Sequence, residues 1–318
     1  MTTNATIEQA YAVAHESAVL VDHDRRGMMA LTGETRLELI NRMSTQAVAE
    51  LRSGEGAATV LTTNIGRIID RIIVYATSAT AYVLTGDDHA EALARYFLRN
   101  IFFNDDAQVR DISAETVVFG IYGPGATEVV ARAAQLPTID LSLHHWRSIE
   151  IGGATAYAHR ADPIAGGGCF VTANATDRPA VWAGLAAEAL SIDEPAYEYL
   201  RIEAGVPRFR HELTLDYIPL EAGLWDDVSF RKGCYTGQEI IARMESRGKL
   251  AKRLVRLRAS EPVEAGMTVS AGGRVVGTIT SAASGPEGAL ALGYVKSSTL
   301  AERAALDAGD ITLAVVES

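Results

Sequence analysis

The chain has 318 residues, 48% of them hydrophobic and 22% charged, with a formal net charge of -11. That length and apolar content suit a globular protein of two or three domains with a large core, and exclude a disordered chain. The acidic balance excludes a long non-specific interface with a polyanion, which needs clustered Lys and Arg.

The N-terminus, Met1-Thr2-Thr3-Asn4, has no basic start and no following apolar run, so no signal peptide is expected. Apolar spacing of three and four predicts helices over 6–19 and 34–43. Residues 57–63 and 67–75 are β-branched and joined by Asn64-Ile65-Gly66, which predicts a hairpin. A short strand at 82–84 precedes a helix over 88–100 with Asp at its start. A strand over 117–122 ends at Gly123-Pro124-Gly125, before a helix at 126–134. A second hairpin is predicted around Gly152-Gly153, then a strand at 169–173 and helices over 179–190, 194–204 and 238–247.

From Arg253 the character changes to short strands at 254–257, 268–270, 274–280, 289–295 and 311–316, punctuated by glycines. These predict a small β-barrel or sandwich. Mixed strands and helices with visible hairpins favour α+β over a doubly wound sheet. The domain boundary is placed near Lys249, giving regions 1–248 and 249–318. No stretch reaches the length and apolarity of a membrane helix. Cys169 and Cys234 are too few for a disulfide framework, which suits a reducing, cytoplasmic setting.

The chemistry concentrates in Lys232-Gly233-Cys234-Tyr235-Thr236-Gly237-Gln238-Glu239. A cationic Lys232 favours the thiolate of Cys234, the nucleophilic and metal-binding form. Two glycines permit a tight backbone, and a helix starting near Gln238 aims N–H groups toward the loop. The alternative is that Cys234 is a small buried hydrophobe. Glu203 ends a predicted helix; it is either exposed or a pocket carboxylate accepting two N–H bonds from an amino-pyrimidinone ring. Asp70 shares a strand face with Ile68, Ile72 and Val74, either as a pocket residue or as an arginine partner. Gly166-Gly167-Gly168 lacks the Lys of a phosphate loop, and His211-Glu212 lacks a second zinc-spaced histidine, so no metal site is expected.

The octapeptide resembles the signature of the YgfZ family, folate-binding relatives of the glycine-cleavage T-protein linked to iron–sulfur cluster assembly or repair. Thr63-Asn64-Ile65-Gly66-Arg67, Tyr122-Gly123-Pro124, Arg201-Ile202-Glu203-Ala204-Gly205 and Pro219-Leu220-Glu221-Ala222-Gly223-Leu224 resemble further family segments, in the right order. The resemblance implies an α+β, T-protein-like fold. Two interleaved α+β domains, one ferredoxin-like, would join a small C-terminal β-barrel around a central hole. It implies tetrahydrofolate in that hole, with Glu203 on the pterin and Asp70 at the first of the T-protein's paired aspartates. Lys232 and Cys234 would be the family's characteristic pair.

Arg71 stands where a T-protein has its second aspartate, and an arginine cannot act as a base. The resemblance therefore implies a folate-binding accessory protein, a monomer working with iron–sulfur client or assembly proteins. Cys234 would be a temporary thiolate ligand, since two cysteines cannot supply a resident cluster's four. The alternative is a tetrahydrofolate-dependent aminomethyl or one-carbon transferase built on Asp70. A third reading takes the basic residues between Arg243 and Arg258 as a tRNA or RNA contact.

Overall fold

The chain begins in one sheet, leaves it to build a second, and returns to complete the first. The computed structural model describes residues 5–316, Arg247 by its backbone alone; Met1–Asn4, where no signal peptide is expected, lie outside that range. Helix α1 (Ile7–Glu16) opens under a capping box in which Thr6 and Gln9 each satisfy the other's backbone N–H. It is shorter than the helix predicted over 6–19. Ser17 ends it, and Val19, the last residue of the predicted helix, instead opens strand β1 (Val19–Asp22).

Strand β2 (Arg26–Thr32), helix α2 (Arg36–Met43), strands β3 (Gly56–Thr62), β4 (Ile68–Ala76) and β5 (Thr80–Asp87), helix α3 (Ala90–Leu98) and strand β6 (Gln108–Asp111) follow. Their five strands form a sheet ordered β3-β4-β5-β2-β6. The chain then returns through β7 (Thr116–Tyr122), α4 (Ala126–Ala133), β8 (Trp146–Ile151), β9 (Ala154–Ile164), β10 (Gly167–Asn174), α5 (Arg178–Ala186) and β11 (Leu190–Ser191). The second sheet is ordered β11-β1-β7-β10-β9-β8. Setting β1 aside, β7–α4–β9–β10–α5–β11 has the split βαβ order of a ferredoxin-like unit, with β1 wedged between its first and last strands.

Strand alternation decides how the layers stack. Along β4, Ile72 and Val74 face Leu39, Ile40, Leu93 and Phe97 of α2 and α3. Ile73 and Tyr75 face the other way and meet Val118 and Phe170 of the second sheet. That sheet's far side carries Phe119, Ile121 and Val171 against α4 and α5. The result is helices, sheet, sheet, helices. Each Leu, Ile, Val or Phe buried between the layers is worth about 1.5–3 kcal/mol.

Helix α6 (Glu194–Ala204) leaves this sandwich. Asp193 caps its start by accepting from the N–H of Ala196, and Gly205 ends it in the left-handed region at φ 73°. An irregular stretch over 205–237 leads to α7 (Gln238–Arg247). The remainder is a closed barrel: β12 (Lys252–Ala259), β13 (Thr268–Ala271), β14 (Arg274–Gly285), β15 (Gly288–Lys296), helix α8 (Ser297–Ala301), β16 (Leu306–Ala308) and β17 (Ile311–Val316). Leu257, Val269, Ile279, Ala291, Val295 and Leu313 belong to its core. Closure removes unpaired strand edges. The expected α+β architecture with a C-terminal β-barrel is therefore present. Among the described residues no helix is long and apolar enough to cross a membrane.

Candidate functional site

Asp70 and Arg71 are neighbours on β4, so alternation sends them to opposite faces. Asp70 is fully buried. Its Oδ2 accepts from the Gly86 N–H at 2.9 Å and lies 2.9 Å from His89 Nδ1; the His89 ring stacks on Phe209 at 4.1 Å. Its Oδ1 is buried without a hydrogen-bond partner. Arg71 is clamped between two carboxylates, donating to Asp162 at 2.6 Å and to Asp227 at 2.5 Å. Burial would raise the Asp162 carboxyl, but the charge and hydrogen bonds of Arg71 outweigh it and bring it down to about 2.

Beside them, Arg208 donates to Asp87 at 2.6 Å and to Glu198 at 3.2 Å. His23, 2.7 Å from the Tyr122 hydroxyl, is pushed down to about 3 by burial and is neutral. Arg26, Asp70, Arg71, Asp87, Asp162 and Arg208 all line one central cavity, of only about 50 Å³. That is room for a water, whose share of liquid volume is about 30 Å³. Small-molecule pockets run about 300–1,000 Å³. Ion pairs of Arg71 and Arg208 line this cavity and keep it small.

Glu203 does not join Asp70. It lies on the face of α6 opposite Arg201, outside the central cavity's lining. There it accepts from the Tyr11 hydroxyl at 2.8 Å and sits 3.1 Å from His15 Nε2, tying α6 to α1. Its carbonyl accepts from Arg256 of the barrel at 2.8 Å. The buried charge on α6 is Arg201, 1% exposed, which donates to Glu212 at 2.9 Å, to Glu198 and to Ser281. Glu212 also accepts from Thr280 and Ser281 of β14. In the sequence Glu212 stands out only as part of His211-Glu212, and nothing local marks it as the partner of Arg201.

The octapeptide forms an anchored loop. Lys232 Nζ donates to the carbonyls of Asn41 and Ser44 at 2.6 Å each and of Gln46 at 2.8 Å, with Asn41 Oδ1 at 3.3 Å. These oxygens lie at the C-terminal end of α2, where carbonyls lack intrahelical partners and the helix dipole favours a cation. Burial pushes the amine down to about 8, so it stays protonated at neutral pH. The ammonium's hydrogen bonds thus run to oxygens at the end of α2.

Further ties hold the loop. Thr62 Oγ1 donates to the Thr236 carbonyl at 2.6 Å, and the Thr236 N–H to the Arg42 carbonyl at 3.2 Å. Tyr235 is buried with Ile218, Leu220, Val228 and Ile241. Gly237 is at φ 84°, and a Cβ there would lie 2.6 Å from the Thr63 carbonyl oxygen. Gly233 has open space instead. Between anchored Lys232 and buried Tyr235, Cys234 is exposed. Cys169 is buried, and burial pushes its thiol up to about 11. Phe230, in the same loop, is exposed beside exposed Trp225. Phe102, which lies under the Arg42 guanidinium, and Phe103 are exposed as well.

Three of the basic residues are engaged within the fold. Lys252 lies over the Tyr217 ring, while Arg256 and Arg258 donate to the carbonyls of Glu203 and Glu287.

Comparison with known proteins places this geometry. Residues 2–232 match the family described as GCVT N-terminal domain, and residues 252–317 the CAF17 C-terminal beta-barrel domain. A chloroplastic Arabidopsis thaliana protein, provisionally named a transferase, is 28% identical over 91% of this chain and 68% of its own length. An aminomethyltransferase of Symbiobacterium thermophilum is 28% identical over 92% of this chain and 82% of its own length. The crystal structure of the glycine cleavage system aminomethyltransferase T from Bartonella henselae superposes with a TM-score of 0.85 at 20% identity. It covers 98% of this chain and 88% of that one.

Proposed function

This chain belongs to the GCVT family, and we propose that it is a member of the YgfZ type, acting in the assembly or repair of iron–sulfur proteins. The observation that carries the reading is the exposed thiol of Cys234 on a loop anchored on both sides. The Cys234 Sγ bonds to an iron of a client's cluster, which is the cargo, and displaces one of that iron's ligands, which leaves with the thiol's proton. One thiolate suits such a shared ligand, because a resident cluster takes about four. The CAF17 barrel fits the same reading. The exposed Trp225, Phe230, Phe102 and Phe103 supply an apolar surface for a client near the loop. Tetrahydrofolate enters this reading through family membership alone, and no step is derived through it.

A one-carbon transferase built on Asp70 has one observation in its favour, a buried Oδ1 without a hydrogen-bond partner on a residue that borders the central cavity. Against it stand the Arg71–Asp162–Asp227 cluster and the cavity's size.

Cells lacking this protein, complemented with Cys234→Ser, test the proposal through the activity of a cluster-dependent enzyme. The variant is expected to restore little or none of that activity. Full restoration at wild-type protein levels would sink the reading.

A further inference from the structure

Between the two sheets, away from the central cavity, lies a cleft of about 580 Å³, within the size range of small-molecule sites. Its walls come from β2, β5 and β6 on one side and from β8, β9 and β10 on the other. Aromatic rings come from both sheets, Tyr75 and Tyr82 from the first and Trp146, Tyr157 and His159 from the second. Tyr75 and His159 are 4.1 Å apart, Trp146 and Tyr157 5.6 Å, and Trp146 lies within 6.3 Å of His159. Tyr157 and Tyr82 are each 37% exposed, unusual for tyrosines that could have packed into a core.

Met28, Ala30, Val109, Ile112 and Ala173 add apolar surface. Thr80, Gln108, Thr116, Thr172 and Asn174 line the cleft with hydroxyls and amides. Its two formal charges, Arg110 and Glu115, are paired with each other. His159 hydrogen-bonds through Nε2 to the Thr172 hydroxyl at 2.9 Å, and its buried Nδ1 has no partner. Burial pushes this histidine down to about 3, so it is neutral at physiological pH.

We propose that this cleft binds a planar, uncharged nitrogen heteroaromatic ring, stacked on the Trp146, Tyr157 and His159 wall and hydrogen-bonded at its edge by the uncharged side chains. Stacking on aromatic faces accepts any flat π-system, and amides and hydroxyls pair with ring nitrogens and carbonyls. A pteridine and a purine share that chemistry. A charged ligand would leave its charge without a counterpart here. The proposal does not depend on Cys234.

The Trp146 indole N–H donates to the Ala76 carbonyl at 3.1 Å, which makes it a distinct reporter at the cleft. In ¹⁵N-labelled full-length protein its resonance is identified by Trp146→Phe, then followed during separate titrations with 6-methylpterin and with adenosine. A saturable shift with either probe is expected, weakened about tenfold by Tyr157→Ala and by Tyr82→Ala, since stacking on one ring is worth about 1–3 kcal/mol. Both substitutions fall at partly exposed positions, and the same spectra report whether the fold survives. Cys234→Ser is expected to bind as the wild type does. A response to 6-methylpterin alone marks a pteridine site, to adenosine alone a purine site, and to both a site for the ring class. No shift from either probe at millimolar concentration overturns the proposal. So does binding that both tyrosine substitutions leave unchanged, which would put the ring elsewhere while leaving the Cys234 reading intact.

Discussion

At the scale of single residues, the two glycines flanking Cys234 do different work. Gly237 sits at positive φ with its Cα against the β3–β4 hairpin, where a methyl group would meet the Thr63 carbonyl. Gly237→Ala is expected to lower unfolding free energy in urea by about 1–3 kcal/mol, the usual cost of forced left-handed backbone. Gly233→Ala should stay within about 0.5 kcal/mol of wild type, as open surface positions do. If Gly233→Ala nevertheless impairs complementation, the space over Cys234 belongs to a partner and not to the fold. Lys232 teaches the same lesson about reading motifs. Adjacency in sequence links it to the thiol, and the fold adds a second use for its length and charge, closing the end of α2.

At the scale of elements, the Arg201–Glu212 pair fastens α6, the irregular stretch and β14 to one another. Both groups are almost wholly buried, so removing one strands the other's charge. Glu212→Ala is expected to destabilise the protein by about 3–5 kcal/mol, read as a lower urea midpoint; a change under 1 kcal/mol would mean that water reaches Arg201. Helices with caps and regular apolar spacing were legible in the sequence: α6 and α7 begin and end where the spacing put them. The barrel hairpins were legible from their glycines. Strand β2, Arg-Gly-Met-Met-Ala-Leu-Thr, was not, because it has few β-branched residues and is made a strand by its two neighbours. β16 is only three residues long. Of the site, strand alternation accounts for the different side-chain partners of Asp70 and Arg71, although both residues border one cavity. The Asp162 and Asp227 partners of Arg71 come from positions 91 and 156 residues away, which no local pattern encodes.

At the scale of the whole molecule, the layered core sequesters two neutral histidines, His23 and His159, both driven from 6.5 down to about 3 by burial. The unfolded chain binds those protons below pH 6.5 and the folded one does not until about pH 3. Their contribution is thus fully present above pH 6.5 and is lost as pH falls through that window. Unfolding free energy measured in urea near pH 5 should fall with pH by up to about 2.7 kcal/mol per unit from these two groups, one proton each. His23→Gln should halve that slope. A flat profile would mean that both rings are hydrated.

The wedged position of β1 also bears on when the fold can form. Val19 pairs with Tyr122 on one side and with Leu190 on the other. During synthesis at roughly 5–20 residues per second, β1 leaves the ribosome on the order of ten seconds or more before β11 exists. The five-stranded sheet draws all its strands from residues 26–111 and needs no later segment to complete its order. The nascent chain therefore carries a finished first sheet and a waiting apolar strand at its start, which makes Val19–Val21 the segment a chaperone would have most reason to cover.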